Sequence, residues 1–274
     1  MGEIVTTVNS LQPLTAETVN FLQPFLRYQG GKHKIAPKIV KLFPAHDTYV
    51  EPMAGGASVY FAKEPAPKEV ISDADTDLMR FYQALKKGDV HHCDLTPNRE
   101  RLKRIVKKAK GKGKLSPCEY LYRNKISYGG KGTTPDPGAF VKCAGDKAKT
   151  CGIASKNHLK YRERLKKTVI SSGDFGAVCR KHDGAKTLFY LDPPYPNTST
   201  EGYHHGRDLM PADVRKVTDG LRGMVVLSYN DIPLVRKEFC RGGKYKCQRI
   251  KQEYTLNNTG EHKPVTELLI TKGI

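Results

Sequence analysis

The chain predicts an α/β layer fold with a mainly parallel sheet, on three observations. Short apolar runs alternate with helix-patterned stretches on both sides of a central basic segment. Several of those runs end in an acid or a glycine-rich turn, the ends at which open α/β sheets gather their ligands. The last two runs have no helical pattern between them, which suits an antiparallel edge on an otherwise parallel sheet.

In chain order, residues 1–24 are polar and interrupted by Pro13 and Pro24, and read as an arm. Organised chain starts near Phe25. After the Gly30-Gly31 turn, Ile35, Ile39, Val40 and Phe43 recur at helical spacing. Thr48–Glu51 reads as a strand, residues 52–56 as its turn and Ser58–Ala62 as a small helix. Glu69–Ser72 is a second strand ending at Asp73, and Asp77–Lys86 a helix with Leu78, Phe81, Tyr82 and Leu85 on one face. Between about Lys86 and Lys167 the pattern changes to basic helices, Arg99–Lys110 and Pro117–Tyr128, followed by a Gly/Pro/Lys-rich loop to about Ser155. Strands resume at Thr168–Ser171, Thr187–Leu191 and Met224–Ser228, with a final pair near 245–254 and 265–271. Residues 25–86 and 168–274 are therefore expected to form one sheet domain, and 87–167 an inserted basic subdomain.

Composition narrows the partner. Lys plus Arg number 47 against 28 Asp plus Glu, a formal net charge of +19. Residues 99–114 hold nine of those cations and one Glu, so the charge is concentrated on a face suited to phosphates. No apolar stretch approaches the length of a membrane span, and no secretory leader opens the sequence. The seven cysteines form no Cys-x-x-Cys pair and are odd in number. We expect no disulfide framework and a soluble protein of a reducing, cytoplasmic compartment. His91, His92, Cys93, Cys118, Cys143 and Cys151 could be gathered into a zinc site, but their spacings match no known zinc module, and no metal is expected.

The most specific feature is Asp192-Pro193-Pro194-Tyr195, directly after the apolar run Thr187–Leu191. Two prolines forbid helix and ladder pairing, so the turn is rigid. It can present a carboxylate, a backbone carbonyl and an aromatic ring on one side of a cleft, a set that suits an exocyclic amine on a flat base. Three other strand ends carry candidate ligand groups. Glu51, Pro52, Ala54 and Gly55 form a turn that a ligand can approach closely, or simply a turn. Asp73 could accept from a ribose hydroxyl or cap the next helix, and Asp174, followed by Phe175, has the same two readings.

In this order the motifs resemble the Dam-like α-class of DNA adenine-N6 methyltransferases, from Phe25 to the C-terminus. Residues 25–32, with Tyr28, Gly30, Gly31 and Lys32, look like that family's first cofactor motif, residues 49–56 its glycine loop and Asp192–Tyr195 its catalytic motif. Residues 122–130 resemble the opening of its DNA-recognition part, and 257–260 with 265–269 its C-terminal pattern. The resemblance implies a Rossmann-like class I methyltransferase sheet and S-adenosyl-L-methionine, contacted by Tyr28, Lys32, Asp73 and Asp192. Lys32 would face the methionine carboxylate, and Asp174-Phe175 would hold the cofactor adenine. It further implies double-stranded DNA with a flipped adenine, Tyr195 stacking on the base while Asp192 and the Pro193 carbonyl accept from its amine. Arg99, Arg101, Lys103, Arg104, Lys107, Lys108, Arg123, Asn124, Lys125, Tyr128, Lys131, Asn257 and Asn258 are the DNA-binding candidates. RNA adenine, cytosine N4 and a decayed DNA-binding fold are the alternatives, and oligomeric state stays open.

Overall fold

The structure, a computed structural model, describes residues 21–28, 30–130, 132–138, 155–196, 209–253 and 264–274. Its centre is β4 (Thr187–Leu191), in which all five residues are buried. A strand covered on both faces has no solvent side, so it reads as a continuous apolar run without polar alternation. β4 pairs in parallel with β1 (Thr48–Glu51) and with β5 (Met224–Asn230). β1 continues to β2 (Lys68–Asp73), which pairs with β3 (Val169–Ser172), also in parallel. On the other side, β7 (Pro264–Lys272) lies antiparallel between β5 and β6 (Lys246–Glu253), giving the order β3-β2-β1-β4-β5-β7-β6. The antiparallel edge is thus as expected, and the strand order reverses between β1 and β4.

Alternation along each strand sends side chains to two cores. Tyr49, Ile71, Leu188, Tyr190 and Val226 face one. Val50, Val70, Phe189, Leu191, Val225 and Leu227 face the other. The first core is covered by α1 (Ala36–Val40), α2 (Ser58–Ala62) and α3 (Thr76–Lys87). Asp75 caps α3 by accepting from the Asp77 and Leu78 amides, and Gly88 ends it in the left-handed conformation at φ 92°.

The basic segment adds α4 (Arg99–Lys110) and α5 (Pro117–Ile126), with a capping box from Ser116 and Glu119 opening α5. A further helix, α6 (Ser155–Leu165), precedes β3. Leu102, Ile105, Leu115, Tyr120, Leu121 and Ile126 join the first core rather than forming one of their own. Tyr120 stacks on Phe81 with ring centroids 5.9 Å apart. At the far end Glu69 of β2, buried, accepts from both Lys63 and Arg164. The second core is covered by α7 (Phe175–Lys181), α8 (Pro211–Asp219) and α9 (Pro233–Phe239). These three helices have 7 to 9 residues, too short for periodicity to announce them.

Part of the stretch expected to meet DNA faces inward instead. The Asn124 amide spans the backbone of Arg27, accepting from its N–H at 3.1 Å and donating to its carbonyl at 2.7 Å. Lys125 donates to the Phe25 carbonyl and lies 5.2 Å above the Phe25 ring, and burial pushes its ammonium pKa down to about 8. Arg123 is buried over the Tyr120 ring. The physical reason is that residues 25–28 run outside the sheet ladder, so their backbone groups need side-chain partners. Asn124 and Lys125 supply them, so both side chains are engaged with the chain's own backbone. Tyr128 is half-buried, its amide bonded to the Thr134 carbonyl.

The cysteines also differ from expectation. Disulfides join Cys93 to Cys118 and Cys240 to Cys247, while Cys179 is free and buried. Neither spacing carries a sequence signature, and Cys143 and Cys151 lie outside the described residues. Unpaired thiols therefore give no support to a reducing compartment. No helix among the described residues is long and apolar enough to cross a membrane.

Asn124→Ala leaves the Arg27 N–H and carbonyl without their partner, so it should lower unfolding free energy by about 1 to 2 kcal/mol. Urea denaturation reads that loss, and the salt dependence of DNA binding should stay unchanged; a flatter salt slope with intact stability would return Asn124 to the DNA-binding set.

Candidate active site

The carboxyl ends of β1 to β4 open into one cleft of 1210 Å³. It lies at the reversal of strand order, where open α/β sheets bind ligands. Tyr28, Gly30, Gly31 and Lys32 line it from the segment before α1, and Glu51, Pro52, Ala54 and Gly55 from the turn after β1. Asp73, Asp174, Phe175, Asp192 and Pro194 complete that wall. Leu209, Asp213 and Lys216, near and on α8, close the far side and went unnoticed in the sequence because their helix is short.

The glycine turn is built around an aromatic ring. Gly55 has φ 46°, and a Cβ there would sit 2.8 Å from the Tyr28 ring; one at Gly56 would sit 2.9 Å from the Tyr28 Cβ. Glycine is thus needed to seat Tyr28 as well as to admit a ligand. Asp73 holds the turn in place, accepting from the Gly55 amide at 2.9 Å and the Asp75 amide at 3.0 Å. A carboxylate carries about four acceptor sites, so this anchoring is compatible with accepting ribose hydroxyls too. Asp174 caps α7 by accepting from the Ala177 amide at 2.9 Å, the capping reading left open by the sequence, and it lines the cleft as well.

Asp192 is the centre of the charged network. Both of its oxygens lie 2.8 Å from the Lys32 ammonium, and Oδ1 also accepts from the Ser228 hydroxyl at 3.0 Å. Lys32 is only 3% exposed and also donates to the Gly30 carbonyl. A buried ammonium requires a nearby counter-charge, and Asp192 supplies it. Pro193 is buried beneath the turn. Tyr195 projects past it, its ring 4.9 Å from Lys32 Nζ and its hydroxyl donating to both Glu267 oxygens at 2.8 and 2.7 Å. Ser228 and Glu267 escaped notice because each sits among the buried apolar residues of its strand.

Glu51 lies on the same wall at the end of β1, fully buried, accepting from the Tyr49 hydroxyl at 2.6 Å. Burial is the main cause raising its carboxyl pKa to about 8, with the nearby Asp192 charge adding to it and the Tyr49 bond opposing it.

The basic face lies on α4. Arg99, Lys103, Arg104, Lys107 and Lys108 are exposed, and Arg101 is half-buried over the Tyr122 ring. Arg101, Lys103 and Lys108 pair with Asp94, Glu100 and Glu119, leaving Arg104 and Lys107 with no ion pair among the described residues. Lys131, Asn257 and Asn258 lie outside those residues. Elsewhere, His92, Cys93 and Cys118 bring their ligand atoms within 4.8 Å of one another, but the two sulfurs are joined to each other and offer no thiolates.

Residues 28–246 match the family profile described as D12 class N6 adenine-specific DNA methyltransferase. The chain belongs to that family. Among curated relatives of this D12-class methyltransferase, the Type II methyltransferase M.MjaIII of Methanocaldococcus jannaschii is 29% identical over 203 residues, 64% of this chain and 69% of the relative. The Type II methyltransferase M1.LlaDCHI of Lactococcus lactis is 25% identical, covering 91% and 95%. The DNA adenine methylase of Vibrio cholerae is 23% identical, covering 89% and 94%. An rRNA methylase structure from Streptococcus thermophilus aligns with 88% of the D12-class chain and 95% of its own at TM-score 0.37 and 11% identity.

An acid whose pKa is raised on folding binds more protons folded than unfolded. The Glu51 contribution to stability is therefore fully present below the ordinary value of 4.5 and is lost as pH rises through about 8. Thermal unfolding midpoints should fall over that interval, and Glu51→Gln should flatten the profile; an identical profile in the variant would contradict a neutral Glu51.

Proposed function

We propose that this methyltransferase moves the methyl group of S-adenosylmethionine to the N6 amine of an adenine flipped out of double-stranded DNA. The observation that carries the reading is Asp192, fixed by Lys32 and Ser228 at the end of β4 on the rim of a cleft. The cleft suits a nucleoside donor: a glycine turn that admits close approach, an anchored acid at Asp73 and a second acid at Asp174. When bound, S-adenosylmethionine supplies a methyl group on a sulfonium, whose sulfur takes the electron pair of the breaking C–S bond.

The chain's task is to make adenine N6 nucleophilic. Its lone pair is delocalised into the ring, and an acceptor on each amine hydrogen draws it back to nitrogen. Asp192 takes one hydrogen and stabilises the positive charge that develops as the N–C bond forms. The Pro193 carbonyl accepts a hydrogen bond from the other, and once the methyl group is on nitrogen the cationic N6 loses one proton through the Asp192 carboxylate to solvent. Tyr195 presents a ring on which the extruded base stacks, offsetting a few kcal/mol of unstacking. Lys32 and Ser228 orient Asp192, so alignment is set before the base arrives. The exposed cations of α4 track the phosphate backbone, and the work is done in the cytoplasm of a prokaryote or of an infected cell, a reading supported by the bacterial, phage and viral relatives.

Labelled methyl transfer from S-adenosylmethionine to unmethylated DNA, with RNA alongside, should yield N6-methyladenine in DNA alone. Label in RNA or at cytosine N4 would move the substrate. Asp192→Asn keeps the shape of the site and should cost about a hundredfold or more in turnover; near-normal turnover would defeat the mechanism. DNA affinity should fall with salt at a log–log slope of about −0.9 per phosphate contacted, and Arg104→Glu with Lys107→Glu should reduce that slope by about two. An unchanged slope would remove α4 from the interface.

A further inference from the structure

One charge at the site has no part in that mechanism. Glu267 sits in the middle of β7, opposite Asn230 of β5 and Ile250 of β6, and is 0% exposed. Its neighbours Leu268, Leu269 and Ile270 are apolar core residues, the kind that packing alone would select at this depth. Burying a carboxylate is expensive unless it is bonded, so its presence calls for a partner worth the cost. That partner includes Tyr195: both carboxylate oxygens accept from the one hydroxyl, at 2.8 and 2.7 Å.

We propose that Glu267 is a positioning residue that acts through Tyr195, fixing the ring on which the flipped base stacks. The inference rests on the function proposed above. Two prolines fix the backbone up to residue 194, but the side chain of Tyr195 still turns about two bonds. Neither ring neighbour pins it. The Tyr229 centroid is 6.1 Å away at a 34° tilt, and the Lys32 ammonium, 4.9 Å off, holds by non-directional attraction. A hydroxyl bound to a carboxylate on a central strand does pin it, because β7 is hydrogen-bonded on both edges and cannot yield. The Tyr195 hydroxyl therefore anchors the ring and stays out of the chemistry.

The test compares wild type, Glu267→Gln, Tyr195→Phe and the double variant for kcat, KM for S-adenosylmethionine, DNA affinity and thermal midpoint. Tyr195→Phe should lose about ten- to a hundredfold in kcat, the effect of one hydrogen bond to a charged group, and Glu267→Gln, whose amide oxygen is a weaker neutral acceptor, about fivefold or more, with KM and DNA affinity within about twofold. The double variant should be no slower than the slower single, because both changes act on the same contact. Glu267→Gln turning over like wild type, or losses that multiply in the double variant, would overturn the inference. If Glu267→Gln does not fold, Tyr195→Phe/Glu267→Leu replaces the polar pair by an apolar one. It should be as slow as Tyr195→Phe, and a wild-type rate in it would equally overturn the proposal. Wild-type turnover is read first: its absence overturns the proposed function and this inference together, whereas an active wild type with an unimpaired Glu267→Gln overturns the inference alone.

Discussion

The contact between Lys32 and Asp192 is the constraint around which the site is arranged. It joins two points 160 residues apart, the segment before α1 and the turn after β4. A buried ammonium and a half-buried carboxylate are each costly alone, so each makes the other's position compulsory. Holding Lys32 there brings Gly30 and Gly31 to the cleft, since Lys32 also binds the Gly30 carbonyl. Tyr28, three residues earlier and bonded through its carbonyl to the Gly31 amide, then falls against Gly55 and Gly56. One ion pair thus connects the turn after β4 to the glycine turn after β1.

The helical segment between α3 and β3 supports this arrangement from behind. α5 binds Asp75 through the Tyr120 hydroxyl and grips Arg27 through Asn124, while the Leu115 amide ahead of it donates to Asp77. The basic helix α4 lies against α5 through the shared core. The surface suited to DNA is therefore packed onto the same helix that fixes the segment carrying Tyr28 and Lys32. The segment between α3 and β3 is thus continuous with the first core in space.

What could be read from the sequence divides along physical lines. The strand before Asp192, the double proline and the glycines at 55 and 56 announce themselves because backbone geometry restricts which residues those places accept. The acid at Asp73 was legible as an acid at a strand end, though both of its uses were open. The backbone contacts of Asn124 and Lys125 were not legible, because a polar residue on a helix is written the same whether it meets a phosphate or a backbone carbonyl of its own chain. Ser228 and Glu267 stayed hidden in apolar strands, where one polar letter gives no hint of the neighbour it meets from elsewhere. The disulfides depend on which distant segments meet, and α7 to α9 are shorter than the pattern that reveals a helix.

The placement of β7 has a consequence for how the chain assembles. β7 follows β6 in sequence yet lies between β5 and β6, so β6 has no place in the sheet until its successor has inserted. Until then β5, with Val225, Leu227 and Tyr229 along one side, is an open edge with unsatisfied backbone groups. Non-local pairing of this kind slows folding. Because Glu267 rides on β7, the ring of Tyr195 finds its anchor only in that last pairing event. Completion of the Tyr195 contact therefore waits on the antiparallel edge of the sheet, and maturation of activity should lag behind pairing of the parallel strands.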